Sequence, residues 1–588
     1  MVFGSMARPA WSACRLEAFE IPVRMVHMRP IATVELNGIE TPMLVDSGAF
    51  FSLLTEATAS QLNLPLQRLS PGFRIEGLTG QVNAKVTRVD KVRFNGVEIA
   101  GVEFIVGVNE LGSGIMGVLG RNFLSLADTE YDLARGIVRL VVPKGQCEET
   151  NFAYWAGKAP VNVVPLIANA RGDTAIRVVA RINGVRVKAL MDTGAMTGLN
   201  LDTAHRAGVK DADMAPLGRI GGAGDGHAQS WVASFASFEL GGEQISNNRF
   251  DVYDADGADD SGMLLGIDYF LSHRIYVSRL QNKVYATWNG GVVFARDKID
   301  ETQGVARDAA APEAVAPDDA DGLARRGEAA AARGDLSRAL QDLDRACALA
   351  PQVARYFLAR ARVRAAMNQS AKAQEDLDEA LRLDASLHDA RQLRASWRAG
   401  AGDREGAISD LRALDAALHP SSHLRAGVAR VYARLNLAPE ALHQWDLWMS
   451  SHRNDAELGS VLNARCWLQI RLKLDPKLAI DDCKRAVKED DEEPDFHDSL
   501  GWAYLRLDDP SAAVESFERA IKLREASPWS YYGRAQAYRR LGKAQAAERD
   551  LMSARKLDPQ IDDKVRSDGF DAETPPIAAP KPASAGTA

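Results

Sequence analysis

Met43-Leu44-Val45-Asp46-Ser47-Gly48-Ala49 and, 146 residues further on, Ala189-Leu190-Met191-Asp192-Thr193-Gly194-Ala195 are two versions of one pattern: three apolar residues, aspartate, a hydroxyl side chain, glycine, alanine. A single Asp-[Ser/Thr]-Gly says little, because so permissive a tripeptide also marks ordinary surface turns in which the aspartate caps its own backbone. The register says more. At the same offset Asn37-Gly38 falls on Asn183-Gly184, Phe104 on Phe250, and Val118-Leu119-Gly120 on Leu264-Leu265-Gly266, so that residues 31–140 align with 177–286 without a net gap. Agreement of this length marks an internal duplication, each copy being one structural unit.

Each copy reads as β structure. Ile31 to Leu36 and Ile176 to Ile182 are rich in β-branched residues, and the Asn-Gly pair that follows each is a strong hairpin signal. The next apolar run leads straight into the acidic loop, giving the order strand, tight turn, strand, aspartate. Val102 to Val108 and Ile137 to Val142 suit further strands of a small closed β domain.

With 588 residues the chain exceeds what one hydrophobic core can serve. Its 46% hydrophobic and 26% charged residues set aside fibrous and wholly disordered classes. A net charge of -8 argues against nucleic acid or an anionic membrane surface as the main partner. No run reaches the roughly 18 apolar residues of a spanning helix. The first 25 residues lack the basic region and apolar stretch of a secretory signal. The five cysteines form neither Cys-x-x-Cys nor a Cys/His zinc spacing, so no metal and no cofactor is expected.

From residue 291 to 319 the composition turns to Ala, Pro and Asp, as in a linker. Beyond it Ala339, Ala373, Ala407, Ala441, Ala479, Ala513 and Ala547 recur at spacings of 34 residues, once 38. Each is followed four residues later by Leu343, Leu377, Leu411, Trp445, Cys483, Phe517 or Leu551. This resembles the tetratricopeptide repeat, whose paired helices need small residues where they approach, and implies about seven repeats over 320–560 that bind a protein partner. Gly334 and Gly542 sit where the turn within a pair belongs, and Trp445, Trp448 and Trp502 read as helix packing. Residues 561–588 have the composition of a disordered tail.

The paired loops, with two apolar residues and a glycine 74 residues after each aspartate, resemble the retropepsin family of aspartic proteases over residues 31 to about 290. The resemblance implies an all-β acid-protease pseudo-dimer followed by an all-α repeat solenoid. Its divisions are an N-terminal segment 1–30, a first half 31–145, a connector 146–175, a second half 176–290, then linker, repeats and tail. It implies that Asp46 and Asp192 meet around one water as the catalytic pair of an endopeptidase. Like charges so close cannot both ionise easily, so the pair would share one proton. Ser47 and Thr193 would bond across the two loops. Gly48 and Gly194 would permit the tight backbone path, and Ala49, Ala195, Leu119-Gly120 and Leu265-Gly266 would support it. Glycine-rich hairpin flaps are expected at Gly77 and Gly80 and at Gly222 and Gly224; the second stretch lacks the Gly-Lys-[Ser/Thr] ending of a phosphate loop.

The sequence departs from the retroviral pattern at Phe50 and Met196, where an acidic residue is usual, and at Ile267, opposite Arg121. Recognition near the loops is therefore expected to be more apolar. Both aspartates on one chain favour a monomeric pseudo-dimer. Cys466 and Cys483 fall on facing helices of one repeat, and Cys14 and Cys147 bracket the first half; buried free thiols are the simpler alternative. The architecture resembles that of exported bacterial proteins, which implies a periplasmic location with Cys14–Cys147 and Cys466–Cys483 disulfides and Cys347 free; a cytoplasmic location is the alternative. The rival functional reading is a non-catalytic scaffold whose repeats bind peptides and whose protease-like halves are structural. Both halves retain their Asp and adjoining Gly, which favours the enzyme.

Overall fold

A computed structural model describes residues 14–26, 28–69, 75–77, 80–82, 84–107, 114–170, 172–221, 227–255, 261–290, 293–294, 315–453 and 455–570. The described chain divides into two compact units, 1–394 and 395–588.

The first unit holds both β halves. In each, the Asn-Gly pair makes a two-residue turn, with Asn37 and Gly38 at φ 49° and 87° and Asn183 and Gly184 at 48° and 80°. Asparagine and glycine tolerate this left-handed backbone, and such turns match the twist of the strands they join. The strands so joined are Arg29–Leu36 with Ile39–Val45, and Arg177–Ile182 with Val185–Met191. Asn37 and Asn183 each also exchange two hydrogen bonds with a distant strand, through Lys91 and Ser237. The second strand of each hairpin then runs parallel to a short strand, Gly117–Leu119 or Met263–Leu265, so the acidic loop that follows is wedged between them.

The halves are joined by a six-stranded antiparallel layer in the order Asn162–Pro165, Lys283–Trp288, His273–Ser278, Asp128–Asp132, Ile137–Lys144, Arg15–Val26. Its centre is the pairing of Thr129, Glu130 and Tyr131 with Val277, Tyr276 and Ile275. The segment before residue 31 contributes to this layer, since Arg15 to Pro22 pair with Lys144 to Ile137. The connector likewise is no loose tether, because its residues 162–165 form the opposite edge of the layer. Both segments lie outside the aligned repeat, so the duplication could not reveal them. At the layer's core Glu130, wholly buried, accepts from Arg139 at 2.6 Å, from Arg274 at 2.9 Å and from the Tyr154 hydroxyl at 2.5 Å. These partners come from both halves and the connector. A buried carboxylate stripped of them would be strongly destabilising.

The Cys14 and Cys147 sulfurs are bonded, as are those of Cys466 and Cys483, and Cys347 is a buried free thiol. Of the residues read as linker, Phe294 is buried among Phe238, Phe250 and Tyr269 of the second half.

Helices follow as seven antiparallel pairs among the described residues, from Ala320–Ala332 to Ala544–Leu557, with Ile561–Ser567 after them. The recurrent alanines and the bulky residues four positions on are all buried, as are Trp445, Trp448 and Trp502. A methyl group placed on Gly501 or Gly533 would lie 2.7 or 2.3 Å from the Phe517 ring, which is why those helix faces are bare. Each pair turns through a left-handed residue: Gly334, Asn368, Gly402, Asn436, Lys473, Asp508 and Gly542. Only three of these are glycine, so most turns carried no glycine signal. No described helix is long and apolar enough to cross a membrane.

The first repeat belongs to the β unit. Ala329 lies in the same core as Val23 and Leu133, Arg325 lies against Gly136, and Arg333 donates to the Leu271 carbonyl at 3.2 Å. A chain ending at Leu387 is accordingly expected to keep a cooperative melting transition of the β halves. One ending at Gly290, which uncovers that core, should melt at a clearly lower temperature by circular dichroism or calorimetry.

Candidate active site

Both acidic loops leave a strand end in the same way. The Asp46 amide donates to the Leu119 carbonyl at 3.0 Å and the Asp192 amide to the Leu265 carbonyl at 2.9 Å. Each loop is then folded back on its own aspartate, with the amides of Gly48 and Ala49 donating to Asp46 Oδ1 and that of Gly194 to Asp192 Oδ1, all at 2.8 Å. Beyond the loops, the Ala49 and Ala195 carbonyls accept from the amides of Arg121 and Ile267. Gly120 and Gly266 pack against that backbone, where a methyl group would lie 2.4 Å from the Phe51 oxygen or 2.3 Å from the Met196 carbonyl carbon.

The two loops meet face to face. A methyl group on Gly48 would stand 2.3 Å from the Asp192 carboxyl carbon, and one on Gly194 would stand 2.4 Å from Asp46 Oδ2. Each carboxyl thus rests against the opposing glycine. Thr193 Oγ1 accepts from the Ser47 amide at 3.0 Å and donates to the Val45 carbonyl at 2.7 Å; Ser47 Oγ accepts from the Thr193 amide at 3.0 Å and donates to the Met191 carbonyl at 2.9 Å. Both hydroxyls are buried, so these four bonds form without competition from water. Burial first, then the charge of Asp46 and a hydrogen bond with it, raise the Asp192 carboxyl well above the usual carboxylate range, against the pull of the Gly194 amide.

Residues 32–123 and 178–269 each match the aspartyl protease family, and residues 495–527 and 530–561 match the tetratricopeptide repeat. The chain is a tandem pair of retropepsin-like aspartyl protease domains followed by tetratricopeptide repeats. Several solved structures are similar to part of it. A tetratricopeptide repeat protein from Parabacteroides merdae is 14% identical over 43% of this chain and 99% of its own, with a TM-score of 0.35. A chain of the Cut9–Hcn1 hetero-tetramer of APC/C is 15% identical over 38% of this chain and 43% of its own, at 0.33. The MamA protein is 17% identical over 29% of this chain and 92% of its own, at 0.26. No curated protein matches the chain.

The two protease-family domains are not identical at the site. Helix caps show the difference: Thr55 caps Glu56–Gln61 and Asn200 caps Leu201–Arg206, an offset one short of the overall register. The first loop therefore carries one extra residue, in the stretch Phe50-Phe51. Its Phe50 ring is exposed, packs edge-on against Phe51 at 4.6 Å between centroids, and lies 5.2 Å beneath the Arg121 guanidinium. Arg121 itself is buried and pairs with Asp173 of the connector at 2.8 Å. Burial alone would raise the Asp173 carboxyl; hydrogen bonds from Arg177 and the Ala175 amide, and the charges of Arg177 and Arg121, bring it below its ordinary value. Sequence reading identified the missing acid at Phe50 but not its substitute, which lies 52 residues away from Arg121.

Also missed was a second support. Asn122 Oδ1 accepts from the amide and hydroxyl of Ser52, and Asp268 Oδ1 accepts from the amide and hydroxyl of Thr197. Asn122 and Asp268 keep the duplication register, and that was the available signal. The first expected flap is a hairpin, Ile75–Gly77 paired with Gly80–Val82, including Gly77 opposite Gly80. Ile75, like Ala49 and Phe51, packs against the cluster of Ile31, Leu44, Leu53, Ile105, Ile115 and Val118. Gly222 and Gly224 lie outside the described residues; the strands leading to them, Ala215–Gly221 and His227–Leu240, pair up to Gly221 and His227.

The close approach sets a steric test. Gly194→Ala should cost about 1–3 kcal/mol of stability as an overpacked site, whereas Gly242→Ala, with open space around it and no left-handed backbone, should cost much less. Chemical denaturation midpoints distinguish the two. Ser47→Ala, which leaves the Thr193 amide without its acceptor, should cost a further about 1–3 kcal/mol.

Proposed function

We propose that this chain is an aspartic endopeptidase in which Asp46 and Asp192 act on one bound water. The observation that carries the reading is the apposition of the two carboxyls, each against the other loop's glycine and locked by Ser47 and Thr193. The ionised member takes a proton from the water as its oxygen attacks the peptide carbonyl carbon, and the protonated member donates to the carbonyl oxygen. The tetrahedral adduct then collapses with proton delivery to the leaving nitrogen, and the C–N bond breaks. Asp192, raised by burial and by the charge of Asp46 beside it, is suited to the protonated role.

The hairpin 75–82 is assigned as a flap over the substrate. Phe50, exposed beside the first loop and braced by Arg121, supplies an apolar contact for the residues around the scissile bond. The repeats bring the protein substrate or a regulator, as befits arrays of this kind. An oxidising compartment, such as the periplasm, fits the two cystine bridges. Mass analysis of protein from its native compartment should find one free thiol, and five would overturn that location.

Asp46→Asn and Asp192→Asn should each lower kcat by about 10²–10⁴-fold, the usual contribution of a positioned acid or base. Unchanged turnover of a peptide substrate in either variant would remove the pair from the mechanism. Activity should fall as pH rises through the raised Asp192 value. Stability follows the same group with a definite sign. A carboxyl raised in the folded state destabilises the fold when ionised, so stability is gained as pH falls through the raised value. Asp192→Asn should therefore raise Tm at neutral pH, and the gain should vanish below the ordinary aspartate pKa of about 4.

A further inference from the structure

The chain's last described residues lie on the repeats. After the helix Ile561–Ser567, whose Ile561 and Val565 are buried, the segment Asp568-Gly569-Phe570 reaches back to Leu458–Arg471 and Pro494–Arg506, the first helices of two consecutive repeats. Phe570 is 4% exposed, with its ring 4.6 Å from that of Trp502 and 5.3 Å from that of Trp467. Arg506 reads the backbone as well as the ring: its Nη2 donates to the Gly569 carbonyl at 2.6 Å and its guanidinium carbon lies 4.3 Å from the Phe570 centroid. The Nε of this buried arginine donates to the Ile470 carbonyl at 3.1 Å. Arg471 Nη1 is 3.7 Å from the Asp568 carboxylate. The acid is thus met by Arg471, the main chain by Arg506, and the ring by Trp467, Trp502 and Arg506 together.

The slot does not end with this segment. Beside it lies a cavity of about 520 Å³ lined by Trp467, Trp529, Asp495, Arg524, Asn463 and Asp568 itself. This space is a cleft open to solvent, and it continues past Asp568, leaving room beside the segment for a longer chain.

We propose that Asp568-Gly569-Phe570 occupies in cis a docking site for a partner protein, and that the partner presents an extended segment with an acidic residue two positions before an aromatic one. The partner's aromatic ring displaces Phe570 between Trp467 and Trp502, its acid meets Arg471, and its further residues fill the cavity beside Trp529. This rests on the reading that the repeats recruit protein, and it names the chemistry of that recruitment. Because the cis segment must leave first, the apparent affinity for a partner is reduced by the fraction of time the slot is open.

The test uses the full chain and a synthetic peptide of residues 561–570, with binding followed by tryptophan fluorescence and calorimetry. Phe570→Ala should bind the peptide, and the unaltered chain should bind it about ten-fold or more weakly. A peptide with alanine in place of its phenylalanine should not bind, and adding Trp467→Ala to the Phe570→Ala chain should abolish binding. A second opened form, ending at Ser567, should behave as Phe570→Ala does. Failure of both opened forms to bind, or equal binding by the unaltered chain, would overturn the proposal. So would loss of helical circular dichroism in both opened forms, which would make the segment a fold element. Binding is measured without turnover, so these outcomes stand whether or not Asp46 and Asp192 hydrolyse peptides.

Discussion

Two carboxyl groups pressed against each other repel when both ionise, and almost everything around Asp46 and Asp192 serves to keep them there. The nearest restraint is the reciprocal set of hydrogen bonds through Ser47 and Thr193, in which each hydroxyl ties its own loop to the backbone of the other. The next is the parallel wedge formed by Leu119 and Leu265 against the loop amides. The outermost is the six-stranded layer, where Glu130 gathers Arg139, Arg274 and Tyr154 from three parts of the chain. A loose interface would let the carboxyls separate; a stiff one keeps each against the opposing glycine.

Duplication supplied the symmetry, and later change spent some of it. The Asn122 and Asp268 supports still correspond, as do the Leu119 and Leu265 carbonyls. The surroundings of the loops do not. One half has an extra residue in Phe50-Phe51 and an arginine whose acid comes from the connector, while the other has Ile267. A homodimer cannot hold two different sides of a cleft; a tandem chain can, because each half mutates separately.

The repeats show how a helical array tolerates charge inside it. Arg326 with Asp342, Arg360 with Asp376, Arg465 with Asp482 and Arg534 with Asp550 pair the first helix of a repeat to the second, at 2.6 to 2.7 Å. Each aspartate is buried, and each arginine answers it within the same repeat. Such pairs add directional contacts between helices that otherwise meet mainly through apolar side chains and, in the repeat of Arg465 and Asp482, through the Cys466–Cys483 bridge.

The sequence by itself determined the duplication, the strand-turn-strand-aspartate order, the correspondence of Asp46 with Asp192 and the 34-residue helical period. These are local patterns, or patterns repeated at a fixed offset, and a repeat declares itself without knowledge of the fold. Tertiary structure alone decided what had no copy to be compared with. Arg15–Val26 and Asn162–Pro165 became edges of the interface layer because unpaired strand edges lay there, and Asp173 came to Arg121 because the connector passes beside it. Ala329 joined the β core, and Phe570 reached Trp467 and Trp502, through apolar surfaces that only the folded chain brings within reach. Contacts between segments far apart in the chain depend on geometry in three dimensions, and one strand of letters records them only where evolution has written them twice.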